Sequence, residues 1–282
     1  MRAAHFERSS HPEQFQQRER ADPVSPVIQM TETSSTKPHT AVVTGAAQGL
    51  GAEIGRALHR AGFRVVVSDI DVECANALAV ELDASGATAI GLRLDIDRAA
   101  DFQAALDQGV SRWGSVEVLV NNAARTVVKP LLDIDLSEFN AVLATNAGGT
   151  FAGSQVFGRY FKERGYGRIV NLASLAGQNG GTATGAHYAA SKGAILTLTK
   201  VFARDLGPFG VTCNAIAPGP MDTPAVRRVL SGEKLEAVLT NIPVGQLGDP
   251  AFVAEMVVML TSPQAAFVNG ACWDVNGGLY VR

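Results

Sequence analysis

The chain has 282 residues, 46% of them hydrophobic, which is enough for one large core and too apolar for a disordered protein. Its 24 lysines and arginines against 27 acids leave a formal charge of −3, giving no electrostatic reason to bind DNA, RNA or an anionic membrane; a small, roughly neutral molecule is the easier partner. No apolar run reaches the roughly 20 residues of a membrane span. The three cysteines, Cys74, Cys213 and Cys272, lie far apart with no CxxC pair or histidine cluster, which argues against a zinc site or a disulfide framework and for reduced thiols in the cytoplasm.

Residues 1–38 carry scattered charges, Ser, Gln, Pro and Thr with almost no apolar period, and read as a disordered extension of a domain over 39–282. A secretory leader would need an apolar stretch that is missing, and Glu7, Glu13, Glu19 and Asp22 speak against a mitochondrial presequence; Met30 is a candidate start.

From Thr40 onward, β-branched runs alternate with Ala/Leu-rich segments of helical period. Strands are expected at 40–44, 64–69, 88–95, 116–121, 168–174, 211–217 and 271–275, and helices opening near Gly49, Val72, Arg98, Ser137, His187 and Pro250. This rhythm predicts a single α/β domain, a doubly wound (Rossmann) parallel sheet of about seven strands with helices on both faces, whose ligand crevice lies beyond the carboxyl ends of the strands.

The first expected strand runs into Thr44-Gly45-Ala46-Ala47-Gln48-Gly49-Leu50-Gly51 and then a helix. Glycines at 45, 49 and 51 allow a tight turn in which backbone N–H groups and a helix N-terminus meet a pyrophosphate. Asp69 ends the second strand 18 residues after Gly51, where it can accept hydrogen bonds from an adenosine ribose and repel a 2′-phosphate. With Gln48 rather than a base in the turn and no Arg in Ile70-Asp71, NAD(H) is favoured over NADP(H). The bland alternative makes Asp69 the N-cap of the helix from Val72. Asp95-Ile96 closes the third strand, where it could hold and cover an adenine. Asn121-Asn122-Ala123-Ala124 closes the fourth, with asparagines suited either to tying strand ends together or to touching the cofactor.

After the fifth strand comes Ser174, and 14 residues later Tyr188-Ala189-Ala190-Ser191-Lys192 opens a helix. Tyr188 and Lys192 at i and i+4 share a helical face, and an ammonium there can pull a phenol's pKa down from about 10. Ser174 would supply a hydroxyl to hold the substrate oxygen. His187, at the helix start, reads as solvent-facing, and Arg125 as a solvated surface residue.

Taken together, the glycine turn, Asp69, Asn121, Ser174 and the Tyr-x-x-x-Lys pair resemble the short-chain dehydrogenase/reductase superfamily over essentially all of residues 40–280. The resemblance implies a phosphate turn at Gly45, Gln48, Gly49, Leu50 and Gly51, ribose selection by Asp69, and adenine-side contacts at Asp95, Ile96, Asn121 and Ala123. It adds Asn146, in Thr145-Asn146-Ala147-Gly148, to Ser174, Tyr188 and Lys192 as a catalytic tetrad, Asn146 holding a water in a proton relay behind Lys192. Tyr188 and Lys192 also face the cofactor, and Pro218, Gly219 and Thr223 form the nicotinamide loop. It further implies an alcohol or ketone substrate, a reaction that needs no metal, and a homotetramer, in keeping with the small residues Ala189, Ala190, Gly193 and Ala194. A 3-oxoacyl-thioester (acyl-carrier-protein) reductase is the runner-up, and a non-catalytic dinucleotide-binding sensor the rival of another class. The resembling enoyl reductases separate Tyr and Lys by six residues, and extended epimerases carry a larger carboxyl-terminal domain than the 90 residues that follow Lys192 here. Three departures stand out: Ala124 in place of Gly, a Ser174–Tyr188 interval one residue long, and Asn276 in place of Asp.

Overall fold

In the computed structural model, which describes residues 38–181, 184–223, 226–227 and 232–282, the apolar runs at the centre become strands buried on both faces. Thr40–Thr44 (β1) is buried at every position, and Arg64–Asp69 (β2) at all but its ends. Alternate side chains face opposite layers: Val43, Val65 and Val67 join one core cluster, Val42 and Val66 another. Ala89–Arg93 (β3), Val118–Asn121 (β4), Gly167–Leu172 (β5), Val211–Pro218 (β6) and Cys272–Val275 (β7) complete a seven-stranded sheet in the order β3-β2-β1-β4-β5-β6-β7. All six pairings are parallel, as expected for βαβ units.

One layer is built from Gly49–Arg60 (α1), Val72–Leu82 (α2) and, near the carboxyl terminus, Pro250–Thr261, whose Val253, Val257 and Leu260 pack with Ile54 and Leu58 of α1. The other contains Ala99–Trp113 (α3), Gly149–Arg164 and Ala186–Leu206. There Phe102, Leu106, Phe157 and Phe161 lie on Leu119, Ile169 and Val211. In chain order the remaining helices are Leu136–Leu143 (α4), Gly149–Arg164 (α5), Ala176–Asn179 (α6), Ala186–Leu206 (α7), Glu233–Asn241 (α8) and Pro250–Thr261 (α9). Successive strands are added outward from β1 on one side and from β4 on the other, so a crevice opens between these two at their carboxyl ends.

Strand ends differ from expectation for a local reason. β3 stops at Arg93 rather than at 95 because its only partner, β2, stops at Asp69, which pairs with Arg93. Asp95 therefore lies in the loop beyond the ladder. β4 begins at 118 rather than 116, and β5 ends at Leu172, so Ser174 is carried past the sheet. The helix openings fall within one residue of expectation. Unforeseen were α6, α8 and a π-helical turn at Ala144–Gly148 between α4 and α5. The expectations for residues 1–37, disorder and a start at Met30, lie outside the described residues. Among the described residues no helix is long and apolar enough to cross a membrane.

Candidate active site

The glycine turn is shaped by what it must pass. Gly45 takes φ +62° and Gly49 φ +58°, the left-handed region. A Cβ on Gly45 would stand 2.7 Å from the Ala123 Cα, and one on Gly51 would stand 2.1 Å from the Gly45 carbonyl oxygen. Gly49 meets nothing within 4 Å, so this corner is open. Gln48 is extended and its side chain does not cap α1, while Leu50 packs on the core beside it. Among the described residues the first-turn N–H groups of Gly49, Leu50 and Gly51 thus have no side-chain partner at the positive end of the helix. Such a cradle, which a side chain would fill, fits the pyrophosphate of a dinucleotide.

Two side chains brace it. The Asn122 amide donates to the carbonyls of Thr44 (3.0 Å) and Gly45 (2.9 Å), fastening the turn to the end of β4. Asp69 accepts from the N–H groups of Ala47 (3.0 Å) and Asp71 (3.1 Å), so the carboxylate is oriented beside the turn. The helix cap falls to Asp71, which accepts from Cys74 N–H, and not to Asp69. Asp95 accepts from Asp97 N–H at 3.1 Å, and Ile96 packs on Gly149. The Asn121 amide is committed inside the protein, to Asn171 Oδ1 at 2.8 Å and Ser154 Oγ at 3.1 Å. The bond to Asn171 ties β4 to β5 through their side chains.

Beyond the ends of β5 and β6 stand Ser174, Tyr188 and Lys192. The Ser174 Oγ accepts from Ala176 N–H at 3.1 Å, so its one hydrogen is not spent on that bond. Lys192 is 3% exposed, and its Nζ donates to the Leu172 carbonyl at 2.6 Å. Burial draws its pKa down to about 8. The same Nζ lies over the Tyr188 ring, 5.6 Å from the centroid. Burial pushes the Tyr188 phenol above its ordinary pKa, against the smaller opposing pull of the Ser174 and Thr126 hydroxyls. Lys192 adds no lowering there, since with a pKa of about 8 it has lost its charge before an unaided phenol ionises. Thr126 was not foreseen, and its one sequence signal is its position just after the asparagine turn.

Asn146 sits in the π-helical turn and is completely buried. Its amide pairs with the Arg125 backbone, accepting from N–H at 2.7 Å and donating to C=O at 3.0 Å, and gives its second hydrogen to Ser191 Oγ at 3.0 Å. The Arg125 side chain itself is exposed, as expected. His187 is a correction: it is 0% exposed, and its Nδ1 accepts from Tyr188 N–H at 2.8 Å, while its Nε2 has no partner among the described residues. The imidazole caps the first turn of α7 because Gly185, at the N-cap, has no side chain to do so. Gly185 also admits the ring, since a Cβ there would meet the His187 Cε1 at 2.3 Å.

The loop after β6 is held from two sides. Gly219 N–H donates to Val275 at 2.8 Å, and Leu175 N–H to Pro218 at 2.9 Å. Thr223 accepts a hydrogen bond from Val226 N–H at 3.3 Å. Asn276 explains one departure, since its amide donates to the Tyr280 carbonyl (3.1 Å) and accepts from Gly278 N–H (3.0 Å); an Asp could not make the first of these bonds. Residues 182–183, in the lengthened Ser174–Tyr188 interval, lie outside the described residues. Among the described residues there is no group of three side chains able to hold a metal ion.

A family model described as enoyl-(acyl carrier protein) reductase matches residues 45–280. The short-chain reductase protein NovJ of Streptomyces niveus is 35% identical over 260 residues, covering 90% of this chain and 98% of that protein. The 2-(S)-hydroxypropyl-CoM dehydrogenase 3 of Xanthobacter autotrophicus is 37% identical over 248 residues, 86% of this chain and 97% of its own length. A solved structure of a short chain dehydrogenase from Bacillus anthracis superposes with a TM-score of 0.79 at 29% identity, over 87% of this chain and 98% of that one.

Proposed function

Because the chain belongs to the short-chain dehydrogenase/reductase superfamily, whose oxidoreductases bind a nicotinamide dinucleotide, we propose that it passes hydride between NAD(H) and a secondary alcohol/ketone pair, with Tyr188 as the acid/base. The observation that carries this reading is the meeting of Tyr188, Lys192 and Ser174 beyond the strand ends, on the same edge of the sheet as the uncapped glycine turn. A secondary alcohol is also what the name of the Xanthobacter relative specifies.

When bound, the nicotinamide supplies the carbon that takes up or gives the hydride. The Ser174 hydroxyl, whose Oγ already accepts from Ala176 N–H, donates its hydrogen to the substrate oxygen and holds it beside the phenol. In oxidation Tyr188, as phenolate, takes the alcohol proton; in reduction the phenol returns a proton to the oxygen of the forming alcohol. Lys192 stands over the Tyr188 ring and, when charged, favours the phenolate. Since the Asn146 amide is fully committed to Arg125 and Ser191, its part in the proton relay falls to its main chain.

The carboxylate of Asp69 beside Ala47 and the neutral Gln48 favour a free ribose 2′-hydroxyl over a phosphate, and so NAD(H) over NADP(H). Gly45, Gly49, Leu50 and Gly51 take the pyrophosphate, Asp95 and Ile96 the adenine, and Pro218, Gly219 and Thr223 the nicotinamide, with Asn121 and Ala123 contributing backbone. A cytoplasmic homotetramer goes with this reading. Initial rates with a panel of alcohols and ketones, followed at the NADH absorbance band with both cofactors, test it. Turnover that prefers NAD(H) supports the reading; tight NADH binding with no turnover across the panel favours a dinucleotide sensor.

A further inference from the structure

Between the two residues of the Tyr-x-x-x-Lys pair stands a third polar side chain that the reaction does not use. Ser191 is completely buried, and its hydroxyl has two partners on two different elements. It donates to the Tyr188 carbonyl, one turn back along α7, at 2.7 Å, and accepts from the Asn146 amide, in the π-helical turn, at 3.0 Å. Among the described residues no other side-chain hydrogen bond joins Ala144–Gly148 to α7.

The chain of bonds runs from the Arg125 peptide through Asn146 and Ser191 to the Tyr188 carbonyl, and so from the strand end that braces the glycine turn to the helix that carries the acid/base. A π turn has a poorer hydrogen-bond pattern than the helix around it and needs outside support to persist. The Asn146 amide, with both hydrogens and its oxygen engaged, gives that support, and Ser191 decides where on α7 it is fastened.

We infer that Ser191 is a positioning residue: by pinning Asn146 to the Tyr188 carbonyl it sets the depth and rotation of α7, and with them the placement of the Tyr188 phenol and the Lys192 ammonium. The inference rests on the proposed function for its kinetic consequence, but the mechanical link is independent of any substrate. Removing the hydroxyl strands one hydrogen of a buried amide, a penalty that local opening of the turn would relieve.

The experiment is a double-mutant cycle with Ser191→Ala and Asn146→Ala in the full chain, read in two ways. Amide hydrogen exchange at neutral pH should rise at 144–148 and at the start of α7 in both single variants, with α1 and α9 unchanged, and the double variant should exchange no faster than Asn146→Ala alone. In the NADH assay kcat should fall about ten-fold in Ser191→Ala with KM and NADH affinity within about two-fold, as for an interaction that matters in the transition state. Additive effects in the cycle, or a Ser191→Ala protein with unchanged exchange in both segments, would overturn the inference. So would a variant with lowered melting temperature but wild-type kcat. Should no panel substrate turn over with the wild-type protein, the proposed function fails and the exchange cycle alone decides on Ser191.

Discussion

The Lys192 ammonium donates to the Leu172 carbonyl at 2.6 Å and not to the Tyr188 phenol, whose ring centroid it overlooks from 5.6 Å. A buried cation with a single carbonyl partner carries a cost that depends on pH. Burial lowers the lysine pKa from 10.5 to about 8, so between those values the folded protein binds fewer protons than the unfolded chain and stability rises with pH. Below pH 8 the cost is present in full. A Lys192→Met variant is therefore expected to melt above the wild type at pH 7, by an amount equivalent to roughly 3 kcal/mol at most. That gap should narrow as the pH approaches 9.5. Thermal melts of the cofactor-free proteins at both pH values check this; a gap that stays constant or widens refutes it.

Tyr188→Phe removes only the hydroxyl that moves the proton. Turnover should fall by at least about 10³-fold, within the range by which acid/base groups act, while NADH binding, followed by fluorescence, stays within about two-fold. Retained activity in this variant would dismiss Tyr188 as the acid/base.

Thr126→Val tests the hydroxyl that the sequence did not reveal. Both Ser174 and Thr126 draw the phenol's pKa down, Ser174 the more strongly. Loss of either raises it, so the rate of alcohol oxidation, which requires the phenolate, should reach its plateau at higher pH in Thr126→Val and at higher pH still in Ser174→Ala. pH–rate profiles of kcat/KM give the comparison, and a Thr126→Val profile superposable on the wild type would dismiss the residue.

Asp69→Ala should shrink the preference for NAD(H) over NADP(H) by about ten-fold or more, since one like-charge contact with the 2′-phosphate is removed. The ratio of kcat/KM with the two cofactors measures it, and an unchanged ratio would assign the choice elsewhere.

Gly51→Ala and Gly49→Ala separate close packing from conformation. The new methyl at 51 would stand 2.1 Å from a backbone oxygen, so the turn must move, at roughly 1–3 kcal/mol and with weakened NADH binding. At 49 there is open space but φ is +58°, so roughly 1 kcal/mol of backbone strain is the larger effect on the cofactor-free protein. Melts and NADH titrations of both variants should show the larger loss of stability at 51.

The sheet was legible in the sequence because strands buried on both faces read as apolar runs, as Ala41-Val42-Val43 and Val65-Val66-Val67 do. The strand ends were less so, because β3 ends where β2 does and no residue of its own announces it. Residue types and spacing were enough to bring Tyr188, Lys192 and Ser174 forward as candidates, but not to give the direction in which Lys192 points. The π turn at 144–148 has no local signature: it is stabilised by the Arg125 peptide, 21 residues away, and by Ser191, 45 residues away. The burial of His187 likewise depends on space that Gly185 leaves open, which a reading of His187 alone does not contain.

The stretch 122–125 serves two masters within four residues, the Asn122 amide gripping the glycine turn and the Arg125 peptide gripping Asn146. Its length is thus a fixed dimension of the machine, like the span of a caliper. One residue inserted or deleted between Asn122 and Arg125 would shift the glycine turn and the Asn146 turn relative to each other, so both grips would be lost together.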